Sequence, residues 1–229
     1  VGGAMPSASP FLAAPGRLPH GTRVYAVGDV HGCLAELRAM HQAIGDDLAA
    51  RPPAAAILIY LGDLIDHGPD SAGVVALLAA GPPLAGVATV TLRGDHEQML
   101  LDALAGDAAA ATDWLAEGGE AALKSWGLSA RMPRADWPDR LPAEAVAFLR
   151  DLPLSHREGT YLFAHAGIRP GVPLAQQAPG DLRGIRQPFL VSEQDFGVVV
   201  VHGHSVVPDP VVRAPTGSRS TLAPASAAD

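Results

Sequence analysis

The sequence predicts an α/β layered domain. Short β-branched or apolar runs alternate with longer Ala- and Leu-rich segments, the pattern of strands alternating with helices. Each apolar run also ends in a block that carries Gly with Asp or His, and in open α/β sheets ligands bind beyond the carboxyl ends of the strands. With 229 residues, 48% of them hydrophobic, the chain has room for one sizeable core; its 25 Gly and 21 Pro predict many loops around it.

Strands are expected at residues 23–27, 56–61, 87–92, 161–164 and 198–201, where apolar and β-branched residues run without interruption. Helices are expected at 34–50, 71–80, 97–105, 112–126 and 142–152. Residues 106–150 hold all three Trp residues and put two helices between consecutive strands, so they are expected to form a helical insertion on the core or over one of its edges. Residues 1–21 are expected to be a flexible lead-in, the domain to occupy 22–213, and the small, polar, Pro-punctuated residues 214–229 to be a disordered tail.

Several function classes are excluded at this level. A single cysteine, Cys33, rules out an internal disulfide framework and a Cys-rich zinc module. A net charge of -8 provides no basic field for nucleic acid, and no apolar stretch approaches the roughly 20 residues that span a bilayer. The first residues lack a basic leader, and Pro10 and Pro15 break their apolar run, so the expected location is the cytoplasm.

The strand ends carry the chemistry. Val27 leads into GDVHG (28–32), Leu61 into GDLIDHGPDS (62–71), Leu92 into RGDHE (93–97), Phe163 into AHAG (164–167) and Val201 into HGHS (202–205), and these blocks hold six of the nine histidines. One Gly-Asp pair is ordinary turn chemistry, but five such blocks converging on one crevice form a site. Carboxylates with imidazoles suit divalent Mn, Fe or Zn. Asp29, His31, Asp63, Asp95, His165 and His204 supply donors for two metals, with Asp63 as the natural bridge.

These blocks, in this order over residues 22–210, resemble the calcineurin-like metallophosphoesterases, and within them the bacterial PPP-type serine/threonine phosphatases. The family pattern is GDxHG, GDxxDRG, GNHE, a His before Ala-Gly, and GH followed by Thr or Ser. The resemblance implies a four-layer α/β/β/α sandwich with two divalent metals at one edge, Mn first and Fe or Zn as alternatives. It implies that Asp29 and His31 hold the first metal, that Asp63 bridges, and that Asp95, His165 and His204 hold the second. His96 matches the general acid and Asp66 the carboxylate that orients it. Arg186, in LRGIRQPFL (182–190), matches an Arg that pairs two phosphoryl oxygens.

The activity implied is hydrolysis of phosphomonoesters, phosphoserine- or phosphothreonine-type or small aryl phosphates, by in-line attack of a metal-bridging water or hydroxide. The expected partner is a phosphoester substrate, with a phosphoprotein among the candidates, and neither nucleic acid nor membrane. Two alternatives stay open: a dinucleoside-polyphosphate hydrolase or phosphodiesterase on the same scaffold, and a catalytically impaired homologue that keeps its metals.

The chain departs from the pattern at three places. Position 95 is Asp for Asn, which adds a negative charge to the donor set. Position 67 is His for Arg, which replaces a permanent cation in the phosphate-binding place by a mostly neutral group. Both changes predict weaker binding of a phosphomonoester dianion and a smaller penalty for esters of lower charge. At the end, 206–229 offer one short strand near 211–213 where relatives continue with a strand pair. Outside the blocks, His20, His41 and His156 are expected to be solvated or capping and Cys33 a packing residue; within the last block, His202 is expected to be a supporting donor or a strand-end residue.

Overall fold

The structure, a computed structural model, describes residues 14–206. The expected tail at 214–229, the strand near 211–213 and residues 1–13 of the lead-in lie outside the described residues. The rest of that lead-in is tied down: Gly16 N donates to Tyr161 Oη at 3.0 Å, and Arg17 N to Thr160 Oγ1 at 2.7 Å.

The chain runs through β1 (Thr22–Val27), α1 (Leu34–Ala50), β2 (Ala55–Tyr60), α2 (Ser71–Ala79), β3 (Ala88–Thr91) and α3 (Asp95–Leu104). Four helices follow, α4 (Ala108–Trp114), α5 (Glu120–Ser125), α6 (Trp137–Arg140) and α7 (Ala143–Asp151). The chain then forms β4 (Ser155–Glu158), β5 (Tyr161–Ala164), α8 (Pro179–Gly184) and β6 (Val199–Val201). β1, β2 and β3 make one parallel sheet, with Arg23 opposite Ala56 and Ile57 opposite Ala88. β4, β5 and β6 make a second sheet, in which β4 is antiparallel and β6 parallel to β5.

Strand periodicity sorts the apolar residues into layers. From β2, Leu58 and Tyr60 turn to the helices, while Ile59 and the following Leu61 turn to the second sheet. From β5, Tyr161 and Phe163 meet them, while Leu162 and Ala164 pack outward on Leu182, Ile185 and Phe189. The middle strands β2 and β5 are therefore buried on both faces, which is why they read as continuous apolar runs. The layers are helices, sheet, sheet, and a thinner layer containing α8, the expected four-layer α/β/β/α order.

Three elements differ from expectation. β4, with sequence SHRE, is polar, and among the described residues it pairs on one side only; Gly159, at φ 58°, and Thr160 turn it into β5. The helix expected over 112–126 is broken by a π-type turn, Leu115–Gly119, where Gly118 adopts φ 95°. α3 starts two residues earlier than expected because Glu97 Oε2 accepts from Gly94 N at 2.7 Å, which closes the first turn over Asp95 and His96.

Within residues 106–150, Trp114 and Trp137 are fully buried and meet edge to face, with ring centroids 5.7 Å apart. They share one cluster with Leu58, Tyr60, Leu123 and Leu149, so this helical stretch completes the main core.

Candidate metal centre and active site

Among the described residues, five non-glycine residues have positive φ: His31 (43°), Asp63 (51°), Asp66 (76°), His67 (55°) and His204 (63°). Such conformations cost about 1–3 kcal/mol each and persist only where the surroundings enforce them. Here the enforcement is a lattice of backbone hydrogen bonds. Val30 N and His31 N both donate to Asp63 O at 2.8 Å, Gly32 N to Leu64 O at 2.9 Å, and Gly68 N to His31 O at 2.9 Å. The junctions after β1 and β2 are thereby tied into one unit.

Glu97 ties in the junction after β3. Fully buried, it accepts from Asp63 N at 3.0 Å, Leu64 N at 2.7 Å and Gly94 N at 2.7 Å. Burial, reinforced by the Asp63 charge, pushes its carboxyl up to about 7 against the pull of those N–H donors. The second sheet joins through His204 N, which donates to Asp29 Oδ2 at 3.1 Å, while Gly203 N donates to His165 O at 2.8 Å and ties the ends of β5 and β6 together. Gly94 and Gly203 are required by close approach: a Cβ on the first would strike Asp63, and on the second Asp29 Oδ1.

These constraints gather the expected ligands into two groups, Asp29, His31 and Asp63, and Asp63, Asp95, His165 and His204. In each group the candidate ligand atoms lie within 4.8 Å of one another, and Asp63 belongs to both. His165 Nε2 is 3.0 Å from Asp95 Oδ1 and 3.3 Å from Asp63 Oδ2, while His204 Nδ1 is 3.1 Å from Asp95 Oδ1. Donors bound to one ion at about 2.1 Å stand about 3 Å apart, so this spacing fits coordination. His165 Nδ1 lies 3.0 Å from Leu61 O and His31 Nδ1 2.9 Å from Ile65 O. Donation to these carbonyls leaves Nε2 of both rings free, the outer support that metal-binding imidazoles usually have.

The charges also fit. Burial opposes ionisation of Asp63 and Asp95, yet the charge and hydrogen bonds of His165 hold both below the usual carboxylate range. His165 is itself raised well above its ordinary value, because Asp63, Asp95 and Asp29 outweigh its burial. Asp29 is raised, chiefly by burial. Carboxylates concentrated in this way favour a divalent cation.

His96 lies against this group, with Nε2 4.0 Å from Asp63 Oδ2. Its Nδ1 is 2.7 Å from Asp66 Oδ2, which also accepts from Trp114 Nε1 at 2.8 Å. Burial works against charge on His96, but the Asp66 hydrogen bond and the charges of Asp63, Asp66 and Asp95 raise it to about 9. His67 is exposed, with its ring 4.7 Å from His31 and 5.3 Å from His96 between centroids. Arg186 is exposed at the rim, with Nη1 3.4 Å from His204 O.

Other residues depart from expectation or were missed. His41 is buried rather than solvated, with Nε2 2.5 Å from Tyr60 Oη, because α1 packs its face onto β2. His156 is half-buried beside Phe163, 3.7 Å from Glu158. His202 is buried edge-on against Phe189 and belongs to neither donor group. Sequence reasoning overlooked Glu97 and Trp114. Glu97 stands three residues after Gly94, at the capping-box position, which is a usable signal; Trp114 has none, since its partner Asp66 is 48 residues away.

Comparison with known proteins agrees with this geometry. The sequence model of the calcineurin-like phosphoesterases matches residues 22–228. A symmetrical bis(5'-nucleosyl)-tetraphosphatase of Methylococcus capsulatus is 34% identical over 151 residues, 64% of this chain and 44% of that protein. Serine/threonine-protein phosphatase 1 of Salmonella typhimurium is 35% identical over 154 residues, 62% of this chain and 58% of that protein. The chain thus spans about half the length of the curated relatives it matches. A crystal structure of a candidate diadenosine tetraphosphatase superposes with a TM-score of 0.59 at 22% identity, covering 92% of this chain and 89% of that one. A serine/threonine phosphatase from Saccharomyces cerevisiae superposes with a TM-score of 0.52 at 16% identity, over 90% and 68%. At these identities the two structures speak for the fold, while the family match extends over most of the chain, including every strand-end block. The chain therefore belongs to the calcineurin-like phosphoesterases.

Proposed function

We propose that this chain is a metal-dependent hydrolase that cleaves dinucleoside polyphosphates between internal phosphates. The observation that carries the hydrolase reading is the pair of donor groups sharing Asp63. Asp29, His31 and Asp63 would hold one divalent metal, and Asp63, Asp95, His165 and His204 the other, with Mn the first candidate and Fe or Zn the alternatives. Bound there, the metals supply a water of lowered pKa and positive charge for the phosphoryl oxygens. His96, oriented by Asp66 and Trp114, gives its Nε2 proton to the leaving phosphate oxygen as water oxygen bonds to phosphorus and the bridging P–O bond breaks. Arg186 reaches over the rim to pair phosphoryl oxygens, and His67 lines the same cleft.

Two considerations favour this substrate class over a phosphomonoester. One is the likeness to symmetrical tetraphosphatases, at 34% and 32% identity in two bacteria. The other is charge: an internal phosphate of a polyphosphate carries one negative charge, a terminal monoester two, and Asp95 with His67 makes the cleft less positive than the family pattern. A second reading, hydrolysis of phosphoserine or phosphothreonine, is favoured by the 35% identity to a bacterial serine/threonine phosphatase.

The test is turnover by metal-stripped protein with and without Mn²⁺, on diadenosine tetraphosphate, p-nitrophenyl phosphate and its bis ester. Manganese-dependent release of ADP alone from the tetraphosphate, abolished in Asp63→Asn, is the expected result. Turnover restricted to the monoester favours the second reading, and none on any substrate in metal-loaded protein refutes both.

A further inference from the structure

We infer that His31, His67 and His96 form an alternative zinc site that competes with the first metal position for His31 and withdraws His96 from proton donation. Its effect on turnover rests on the function proposed above; the binding itself rests on geometry alone.

One nitrogen from each of the three rings lies within 4.8 Å of the other two. The ring centroids are 4.7 Å apart for His31 and His67, 4.8 Å for His31 and His96, and 5.3 Å for His67 and His96. Two rings are already held as ligands are held. His31 Nδ1 is engaged by Ile65 O at 2.9 Å and His96 Nδ1 by Asp66 Oδ2 at 2.7 Å, so each turns Nε2 into the common space. His67, exposed above them, supplies the third nitrogen from a backbone fixed at φ 55°. Glu117, in the kinked turn, adds negative potential at His67.

Donor chemistry separates this site from its neighbour. Three imidazoles with a fourth position open to solvent suit tetrahedral zinc, whereas Asp29, His31 and Asp63 offer the oxygen-rich set that suits manganese. His31 has one free nitrogen, because its Nδ1 is engaged by Ile65, so it serves one ion at a time. When zinc enters, His96 releases its Nε2 proton to water and coordinates through that nitrogen. The site exists only because position 67 is His: the Arg of the family pattern has no lone pair to offer a metal.

The test follows displaced Mn²⁺ by electron paramagnetic resonance as Zn²⁺ is added to manganese-loaded wild type, His67→Gln, His67→Arg and Asp29→Asn. Circular dichroism confirms that each variant is folded. Cobalt serves as an optical stand-in, since a four-coordinate site absorbs intensely in the visible. The zinc concentration for displacement should rise more than about tenfold in both His67 variants, since losing even an outer-shell partner costs that much. It should not rise in Asp29→Asn, and the intense cobalt band should be present in wild type and absent in both His67 variants. A zinc response that weakens in Asp29→Asn and is unchanged in the His67 variants would mean simple replacement at the first metal position and overturn the proposal. These readouts need no substrate, so an inactive chain that still shows the His67-dependent site would refute the proposed function and leave this one standing.

Discussion

Trp114 Nε1 donates to Asp66 Oδ2 at 2.8 Å, the same oxygen that lies 2.7 Å from His96 Nδ1. The indole is fully buried, and it comes from the helical stretch between β3 and β4. Core packing and the orientation of the candidate proton donor therefore depend on one side chain. Asp66 has its carboxyl raised by burial, and the hydrogen bonds from His96 and Trp114 oppose that rise.

Trp114→Phe removes the N–H and keeps most of the ring contact with Trp137. Losing one hydrogen bond to a buried carboxylate costs about 1–3 kcal/mol, so kcat should fall about tenfold with KM little changed. Steady-state kinetics on the preferred substrate check this; a changed KM with constant kcat would assign Trp114 to substrate binding.

Glu97→Gln is the matching test of the brace beneath the candidate metal ligands. A glutamine presents an NH₂ group where the carboxylate accepts three backbone N–H donors, so at least one of Asp63 N, Leu64 N or Gly94 N is left without its partner. Stability to urea should fall by about 2 kcal/mol or more, with metal affinity falling alongside. Unchanged stability would mean that the junctions hold without Glu97.

Gly203→Ala places a methyl group at clashing distance from Asp29 Oδ1 but only in ordinary contact with His165 O, so the strain falls first on the group of Asp29, His31 and Asp63. Metal content after equilibrium dialysis should fall from two ions per chain toward one. Retention of both would show that Asp29 can move aside without loss of the site.

Much of this arrangement is legible in the sequence because it is local. GDVHG, GDLIDHG, RGDHE, AHAG and HGHS each join a strand end to its ligand within a few residues, and apolar runs buried on both faces mark the strands that carry them. What is not legible is non-local. Polar β4 has no apolar run and is an edge among the described residues, the indole of Trp114 reaches Asp66 across 48 residues, and His41 is buried only because α1 lies over Tyr60. The break at Gly118 depends on a left-handed φ that Gly permits but does not dictate.

His41 gives a pH dependence away from the candidate metal ligands. Burial lowers its pKa below the ordinary value near 6.5, and Tyr60 Oη lies 2.5 Å from Nε2. As pH falls below about 6.5 the unfolded chain takes up a proton that the folded chain refuses, so this contribution to stability is full above that pH and is lost on acidification. Urea unfolding at pH 7.5 and 5.5 should show wild type losing more stability than His41→Gln, by up to about 1.4 kcal/mol per pH unit. Equal losses would mean that His41 is charged in the folded protein.

The charge of the cleft is tested by restoring both family residues. Asp95 contributes an anion to the group of Asp63, His165 and His204, and His67 stands exposed beside His31 and His96 where the family pattern places a permanent cation. Asp95→Asn with His67→Arg removes one negative charge and adds one positive charge near the bound phosphate. A phosphomonoester dianion gains from both changes about twice what a singly charged ester gains, so KM for p-nitrophenyl phosphate should fall more than KM for its bis ester. At about 1.4 kcal/mol per tenfold, even a modest net interaction at each position makes the difference measurable. The shift should shrink as salt is raised, because part of the interaction crosses solvent. If KM for the monoester is unchanged in the double variant, the charge argument fails and substrate preference must come from the walls of the cleft.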